Sequence, residues 1–176
     1  MKLLQGKVAV ITGATRGIGK GIALKFAEQG ADIAFTFVSS AEKAKQVESQ
    51  LKEFGVKAVG FQSNAGDFEQ SQILVDSIVS EFGRIDVLIN NGGISQRSLA
   101  SDTTLEVDRK LMEVNYFGTV GLTKAVLPVM QKQKSGHIIT ISSLSGKFGF
   151  FLRSAYSAAK FAQVGFFESL RLEEEK

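Results

Sequence analysis

The stretch Thr12-Gly13-Ala14-Thr15-Arg16-Gly17-Ile18-Gly19 constrains this chain more than any other, because of what flanks it. Before it runs Val8-Ala9-Val10-Ile11, a continuous apolar segment that reads as a buried strand. After it, Ile18, Ile22, Ala23, Phe26 and Ala27 recur at helical spacing and are expected on one buried face. A strand, a glycine turn and a helix make a pocket for a phosphate. Glycine permits positive φ and close approach of the backbone to an anion. The helix start offers free N–H groups and the positive end of its dipole.

The same theme repeats along the chain. Strand one is expected over 7–12 and the first helix over 16–29, capped by Gly30. A second strand lies within 31–37. A second helix follows, with Ala41, Ala44, Val47, Leu51 and Phe54 at helical spacing before Gly55. Strand three is expected over 57–62. A third helix spans about 67–82, with Leu74, Val75, Ile78, Val79 and Phe82 buried and Gly83 at its end. Strand four covers 86–90. Helix is expected over 98–110, with Leu105, Val107 and Leu111 as buried contacts, and a longer one over 115–134 that contains Pro128. A mid-helix Asn115 by itself suggests a local bend or cap. Strand five covers 136–141, rich in β-branched residues, and a last helix carries Tyr156 to the end of the chain. Alternating strands and helices imply parallel pairing with right-handed crossovers. The expected fold is therefore α/β: a doubly wound parallel sheet between helical layers, a three-layer αβα sandwich in one domain over residues 1–176.

Composition excludes several classes. The net charge of +3 comes from 21 basic and 18 acidic residues, well mixed, so no basic patch points to nucleic acid. There is no cysteine, hence no disulfide and no thiolate metal site; no metal is expected. Met1 leads into Lys2-Leu3-Leu4-Gln5-Gly6-Lys7 without a signal-peptide core, and no run reaches membrane-spanning length. A cytoplasmic protein without membrane contact is the expectation. The lone histidine, His137, opens an apolar strand and reads as structural.

Three further features carry chemistry. The second strand ends Thr36-Phe37-Val38-Ser39-Ser40, with no acid to bind the ribose hydroxyls of NAD. Hydroxyls there, with Arg16 in the glycine loop, suit the extra phosphate of NADP, although Ser39 and Ser40 also read as caps of the second helix. Strand four runs into the turn Asn90-Asn91-Gly92-Gly93. Strand five ends in Ser142-Ser143, and Tyr156-Ser157-Ala158-Ala159-Lys160 places a phenol and an amine on one helical face. A Tyr-x-x-x-Lys pair alone arises often by chance.

Together, Thr12-Gly13-x-x-x-Gly17-x-Gly19, Asn90-Asn91-Gly92-Gly93, Asn115, Ser143, Tyr156 and Lys160 resemble the short-chain dehydrogenase/reductases over nearly the whole chain. Gly92 stands where that family's pattern has alanine. Residues 1 to about 93 look most like bacterial 3-oxoacyl-acyl-carrier-protein reductases. The segments Ser142–Gly149 and Gly165–Arg171 look like generic dehydrogenase/reductases of another branch. The resemblance implies a Rossmann fold and hydride transfer between NADP(H) and a carbonyl or alcohol, with reduction of a 3-oxoacyl thioester, as in fatty acid biosynthesis, as the leading reaction. It implies that Gly13, Thr15, Arg16, Gly17, Ile18, Gly19, Ser39, Asn64, Ala65, Asn91, Gly92 and Gly93 bind the cofactor together with Tyr156 and Lys160. Tyr156 would be the acid in reduction and the base in oxidation. Lys160 would tune it and bind the nicotinamide ribose, Ser143 would steady the substrate oxygen, and Asn115 would hold a water relaying protons through Lys160. It also implies a dimer or tetramer in the intact protein.

Members of that family continue through two further strands and a substrate-covering loop. This chain reads as truncated by comparison, with Phe161, Val164, Phe166, Phe167 and Leu170 as candidates for exposed apolar surface. The alternatives are an inactive dinucleotide-binding module, or a reductase for a different ketone or alcohol.

Overall fold

The computed structural model describes residues 2–175; Met1 and Lys176 of the expected domain lie outside the described residues. Strands β1 (Val8–Ile11), β2 (Asp32–Phe37), β3 (Ala58–Gln62), β4 (Val87–Asn90) and β5 (His137–Thr140) form a sheet of order β3-β2-β1-β4-β5. Every neighbouring pair is parallel, with Val8 opposite Asp32, Val10 opposite Leu88 and Val87 opposite His137. The helices are α1 (Gly17–Glu28), α2 (Ala41–Lys52), α3 (Phe68–Phe82), α4 (Leu105–Met112), α5 (Gly118–Gln133) and α6 (Ser154–Glu174). This is the doubly wound α/β arrangement expected of alternating apolar strands and amphipathic helices.

Strand periodicity sorts the core onto two faces. Ala9, Ile11, Ile33, Phe35, Val87 and Ile89 pack with Ala23 and Ala27 of α1 and with Ala44, Val47 and Leu51 of α2. Val10, Ala34 and Leu88 pack with Leu74, Val75 and Ile78 of α3 and with Leu122, Val126 and Met130 of α5. Strand β5 is a sheet edge, and His137 and Ile139 on it are exposed.

Several expectations are corrected. Ile18 is 64% exposed, because it lies in the first turn of α1 while Ala23 and Ala27 meet the sheet. Phe54 is exposed beyond the end of α2. The helix expected over 98–110 begins only at Leu105. Ahead of it Ser98 and Thr103 share a 2.6 Å hydrogen bond and the Thr103 hydroxyl donates to the Leu99 carbonyl, local bonds that compete with helix. At the start of α4, Leu105 and Val107 are exposed and only Leu111 is buried. The helix expected from 115 is in fact regular only from Gly118. Glu113–Phe117 form a π-helical segment, and Asn115 lies in it. Of the candidates for exposed apolar surface, Phe161 is exposed; Val164, Phe166, Phe167 and Leu170 are half-buried.

Asp86 locks the amino ends of β1 and β4 together. Its carboxylate accepts from the Val8 N–H at 2.9 Å, Lys7 Nζ at 3.1 Å, and Arg84 Nε and Nη2 at 2.7 and 2.6 Å. Burial opposes the charge, but the bonds from Arg84, Val8 and Lys7 outweigh it and hold the carboxyl below its ordinary pKa. A depressed folded-state pKa means stability that is complete above about pH 4 and lost as pH falls further. Asp86→Asn is expected to cost about 2 kcal/mol at pH 7, because Arg84 and Lys7 are half-exposed and rehydrate. The gap from wild type, read by urea denaturation, should close under acid conditions.

Candidate active site

The glycine loop is built between β1 and α1. Gly13 and Gly17 adopt φ of 67° and 58°, conformations that other residues resist. Arg16 is the N-cap of α1 but makes no side-chain capping bond, and no acid occupies the first turn. The first N–H groups and the positive dipole end are therefore free for an anion. Arg16, Gly17 and Ile18 are exposed, Thr15 is half-buried and Gly19 is buried. These features fit a dinucleotide pyrophosphate.

Thr12 ties this loop to the segment after β4. Its hydroxyl accepts from Asn91 N at 2.9 Å and Gly92 N at 2.8 Å, while Asn91 Nδ2 donates to the Thr12 carbonyl at 2.9 Å and to the Gly13 carbonyl at 3.3 Å. On the other side, Gly13 N donates to Thr36 Oγ1 at 3.2 Å, joining the loop to β2. Thr12 and Thr36 thus position the loop, although the sequence reading named neither as a site residue.

The next link is Asn115, fully buried in the π-helical segment. Its side chain pairs with Ile94 in both directions: Oδ1 accepts from Ile94 N at 2.8 Å and Nδ2 donates to Ile94 O at 2.9 Å. A Cβ on Gly93 would lie 2.9 Å from Asn115 Oδ1, so this segment packs closely against it. The Asn115 backbone carbonyl accepts from the Thr119 hydroxyl at 2.8 Å and from Gln163 Nε2 at 2.5 Å.

Helix α6 carries Tyr156 and Lys160. Lys160 is buried; its Nζ donates to the Ile141 carbonyl and to Gln163 Oε1, each at 2.9 Å, and lies 5.8 Å from the centre of the Tyr156 ring. Burial pushes the Lys160 ammonium down to a pKa of about 8. Arg153 places its guanidinium 5.9 Å from the same ring centre while bonding to the Gln96 carbonyl at 2.8 Å and to the Ser95 hydroxyl. Two cationic side chains thus approach the phenol ring. Ser143 follows β5 and accepts from Ser145 N at 3.1 Å, capping the short 3-10 turn Leu144–Gly146. That turn is pressed onto α6: a Cβ on Gly146 would sit 3.0 Å from the Lys160 carbonyl.

Ser39 and Asn64 are exposed at the ends of β2 and β3. Asn64 Oδ1 accepts from Gly66 N at 3.1 Å, and the Ala65 carbonyl abuts Gly118, where no Cβ fits. The structure therefore links Gly13 to Lys160 through Thr12, Asn91, Gly93, Ile94, Asn115 and Gln163. Ala65 lines one cavity with Thr12 and Gly92 of that run, whereas Ser39 and Asn64 stand apart from it. Gln163 and Arg153 escaped the sequence reading. The one available signal was spacing: Gln163 is one turn from Lys160 on α6, and Arg153, three residues before Tyr156, is the N-cap of that helix.

The chain belongs to the short-chain dehydrogenase family, whose model matches residues 7–176. It is 43% identical over 182 residues to mouse (Mus musculus) "Dehydrogenase/reductase SDR family member 7B", covering 98% of this chain and 54% of that protein. It is 40% identical over 175 residues to human (Homo sapiens) "Dehydrogenase/reductase SDR family member 7", covering 97% and 51%. The chain thus spans about half the length of the curated relatives it matches. Among solved structures, NAD+-bound xylitol dehydrogenase superposes with a TM-score of 0.95 at 31% identity, covering 99% of this chain and 67% of that one. A short-chain dehydrogenase from Burkholderia cenocepacia J2315 in complex with NADP gives 0.90 at 31% identity, covering 97% and 69%. These relatives bear out the family and the Rossmann-type fold. Their names specify no acyl-carrier-protein substrate, and the two structures hold different dinucleotides.

Proposed function

We propose that this chain carries the dinucleotide site and proton-transfer residues of an NADP(H)-dependent carbonyl reductase, with a 3-oxoacyl thioester as leading substrate. The observation that carries the reading is the contact run from Thr12 to Lys160 and the Tyr156 ring. The start of α1 and residues 13 and 15–19 would hold the pyrophosphate, flanked by Ala65, Asn91, Gly92 and Gly93, while Tyr156 and Lys160 would hold the nicotinamide ribose. When bound, the nicotinamide supplies or accepts the hydride. Tyr156 gives its phenolic proton to the nascent alkoxide in reduction and takes one in oxidation. The Lys160 ammonium favours the phenolate, and Ser143 donates to the substrate oxygen.

The choice of NADP rests on three points. No carboxylate ends β2; Arg16 is exposed in the loop; and Ser40, the N-cap of α2, makes no side-chain capping bond, which leaves its hydroxyl for a phosphate. The thioester rests on the resemblance of the first half of the chain. Association into a dimer or tetramer rests on exposed aromatics, Phe117 and Phe161 among them, on the elements flanking the site. Among the described residues no helix is long and apolar enough to cross a membrane.

Fluorescence titration with NADPH and NADH, beside NADPH oxidation on an acetoacetyl thioester and on a simple ketone, tests these points. Tighter binding of NADPH and oxidation with the thioester are expected. Equal affinities overturn the cofactor choice, turnover only on the ketone overturns the substrate, and binding without any oxidation makes the chain a binding module. Reduction should also slow as pH rises through about 8, where Lys160 loses its charge. A rate constant up to pH 9.5 contradicts the role given to Lys160.

A further inference from the structure

Gln163 is among the largest fully buried side chains, 1% exposed, and is polar where its neighbours in that class are aliphatic or aromatic. Its amide meets two groups of opposite need. The Lys160 ammonium has only donors, and Gln163 Oε1 accepts from it at 2.9 Å. The Asn115 carbonyl can only accept, and Gln163 Nε2 donates to it at 2.5 Å and to Thr119 Oγ1 at 3.2 Å. The partners fix which way the amide points. With the Thr119 hydroxyl at 2.8 Å, two side-chain donors occupy the two lone pairs of the Asn115 carbonyl.

We propose that Gln163 is a positioning residue for the proton-transfer site: its amide holds the Lys160 ammonium beneath Tyr156 and joins it directly to the Asn115 carbonyl, a bridge the family resemblance assigns to water. The inference rests on the reaction proposed above for Tyr156 and Lys160, and it concerns how that site is held. Leucine at 163 removes both ends of the bridge. Glutamate keeps the acceptor for Lys160 and loses the donor for Asn115.

The surroundings of Lys160 make the test clean. The ionisable group of its own helix that stands beside it is Tyr156, whose ring the N-cap residue Arg153 also approaches. The end of β5 presents the Ile141 carbonyl, the π-helical segment presents the Asn115 carbonyl through Gln163, and the 3-10 turn presents Gly146. Among the described residues no carboxylate bonds to Lys160.

The titration of Lys160 is read by 13C NMR of lysine labelled at Cε, assigned with Lys160→Arg, in the chain without cofactor. The wild-type midpoint is expected near 8. Gln163→Leu should lower it by on the order of one pH unit, because the charged form loses an acceptor, and Gln163→Glu should raise it. In the chain where turnover is present, Gln163→Leu should lower kcat about tenfold with little change in dinucleotide Kd. Unmoved midpoints in both variants overturn the proposal. Should the leucine variant fail to fold, the glutamate variant and the wild-type Gln163 amide protons decide: slow hydrogen exchange supports the bridge and rapid exchange refutes it. A wild-type chain that oxidises no substrate, with the midpoints shifted as stated, refutes the reaction and leaves the bridge standing.

Discussion

Tyr156→Phe is expected to lower turnover on the order of 10²–10⁴-fold while leaving dinucleotide affinity within a few-fold of wild type. The phenylalanine keeps the ring that stands 5.8 Å from Lys160 Nζ and 5.9 Å from the Arg153 guanidinium. It removes only the hydroxyl, the group proposed above to give and take the proton at the substrate oxygen. Packing is preserved, so melting temperature should move little. Stopped-flow single-turnover reduction with prebound NADPH isolates the step. A variant with unchanged single-turnover rate ends the assignment of the acid, and one that loses cofactor affinity and turnover together makes Tyr156 a binding residue instead.

Gly19→Ala is expected to weaken dinucleotide binding by about 100-fold and to cost about 2 kcal/mol of stability. A Cβ there would lie 2.5 Å from Asn91 Nδ2, 2.7 Å from the Gly13 carbonyl and 3.1 Å from Ala14 Cα. Two of these atoms belong to the bond that ties the glycine loop to the segment after β4. The helix must back away, carrying its free N–H groups from the place where they meet a phosphate. Gly21→Ala on the same helix is the control. A Cβ there meets nothing within 4 Å, and alanine is a better helix former, so that variant should bind normally and gain about 0.5–1 kcal/mol. Equal behaviour of the two variants in a fluorescence titration and a thermal melt sinks the argument.

The parallel sheet was legible because its signal is local and repeated. Runs such as Val8–Ile11 and Val87–Asn90 are buried on both faces, and only a doubly covered sheet accepts such strands. The glycine loop was legible because positive φ demands glycine. The stretch between β4 and α5 was not. Its shape is set by hydroxyls such as Ser98 and Thr103, which bond to each other and to the Leu99 carbonyl in place of a helical ladder. Leu105 and Val107 lie in the first turn of α4 with no layer above them. At the site, Asn115, Tyr156 and Lys160 were named from their pattern. Gln163 was not, because a buried amide announces itself only once the two elements it joins, α6 and the π-helical segment, are packed together.

The widened turn at Glu113–Phe117 accommodates one residue more than a regular helix. Deleting one residue in that turn would let it close into a continuous α-helix, with Thr119 and Leu122 left close to their present phase against the sheet and the turn's carbonyls drawn into the regular ladder. Helical propensity would improve while the carbonyl that now faces α6 turned elsewhere. The extra residue is thus a spacer that trades local regularity for the aim of a single oxygen.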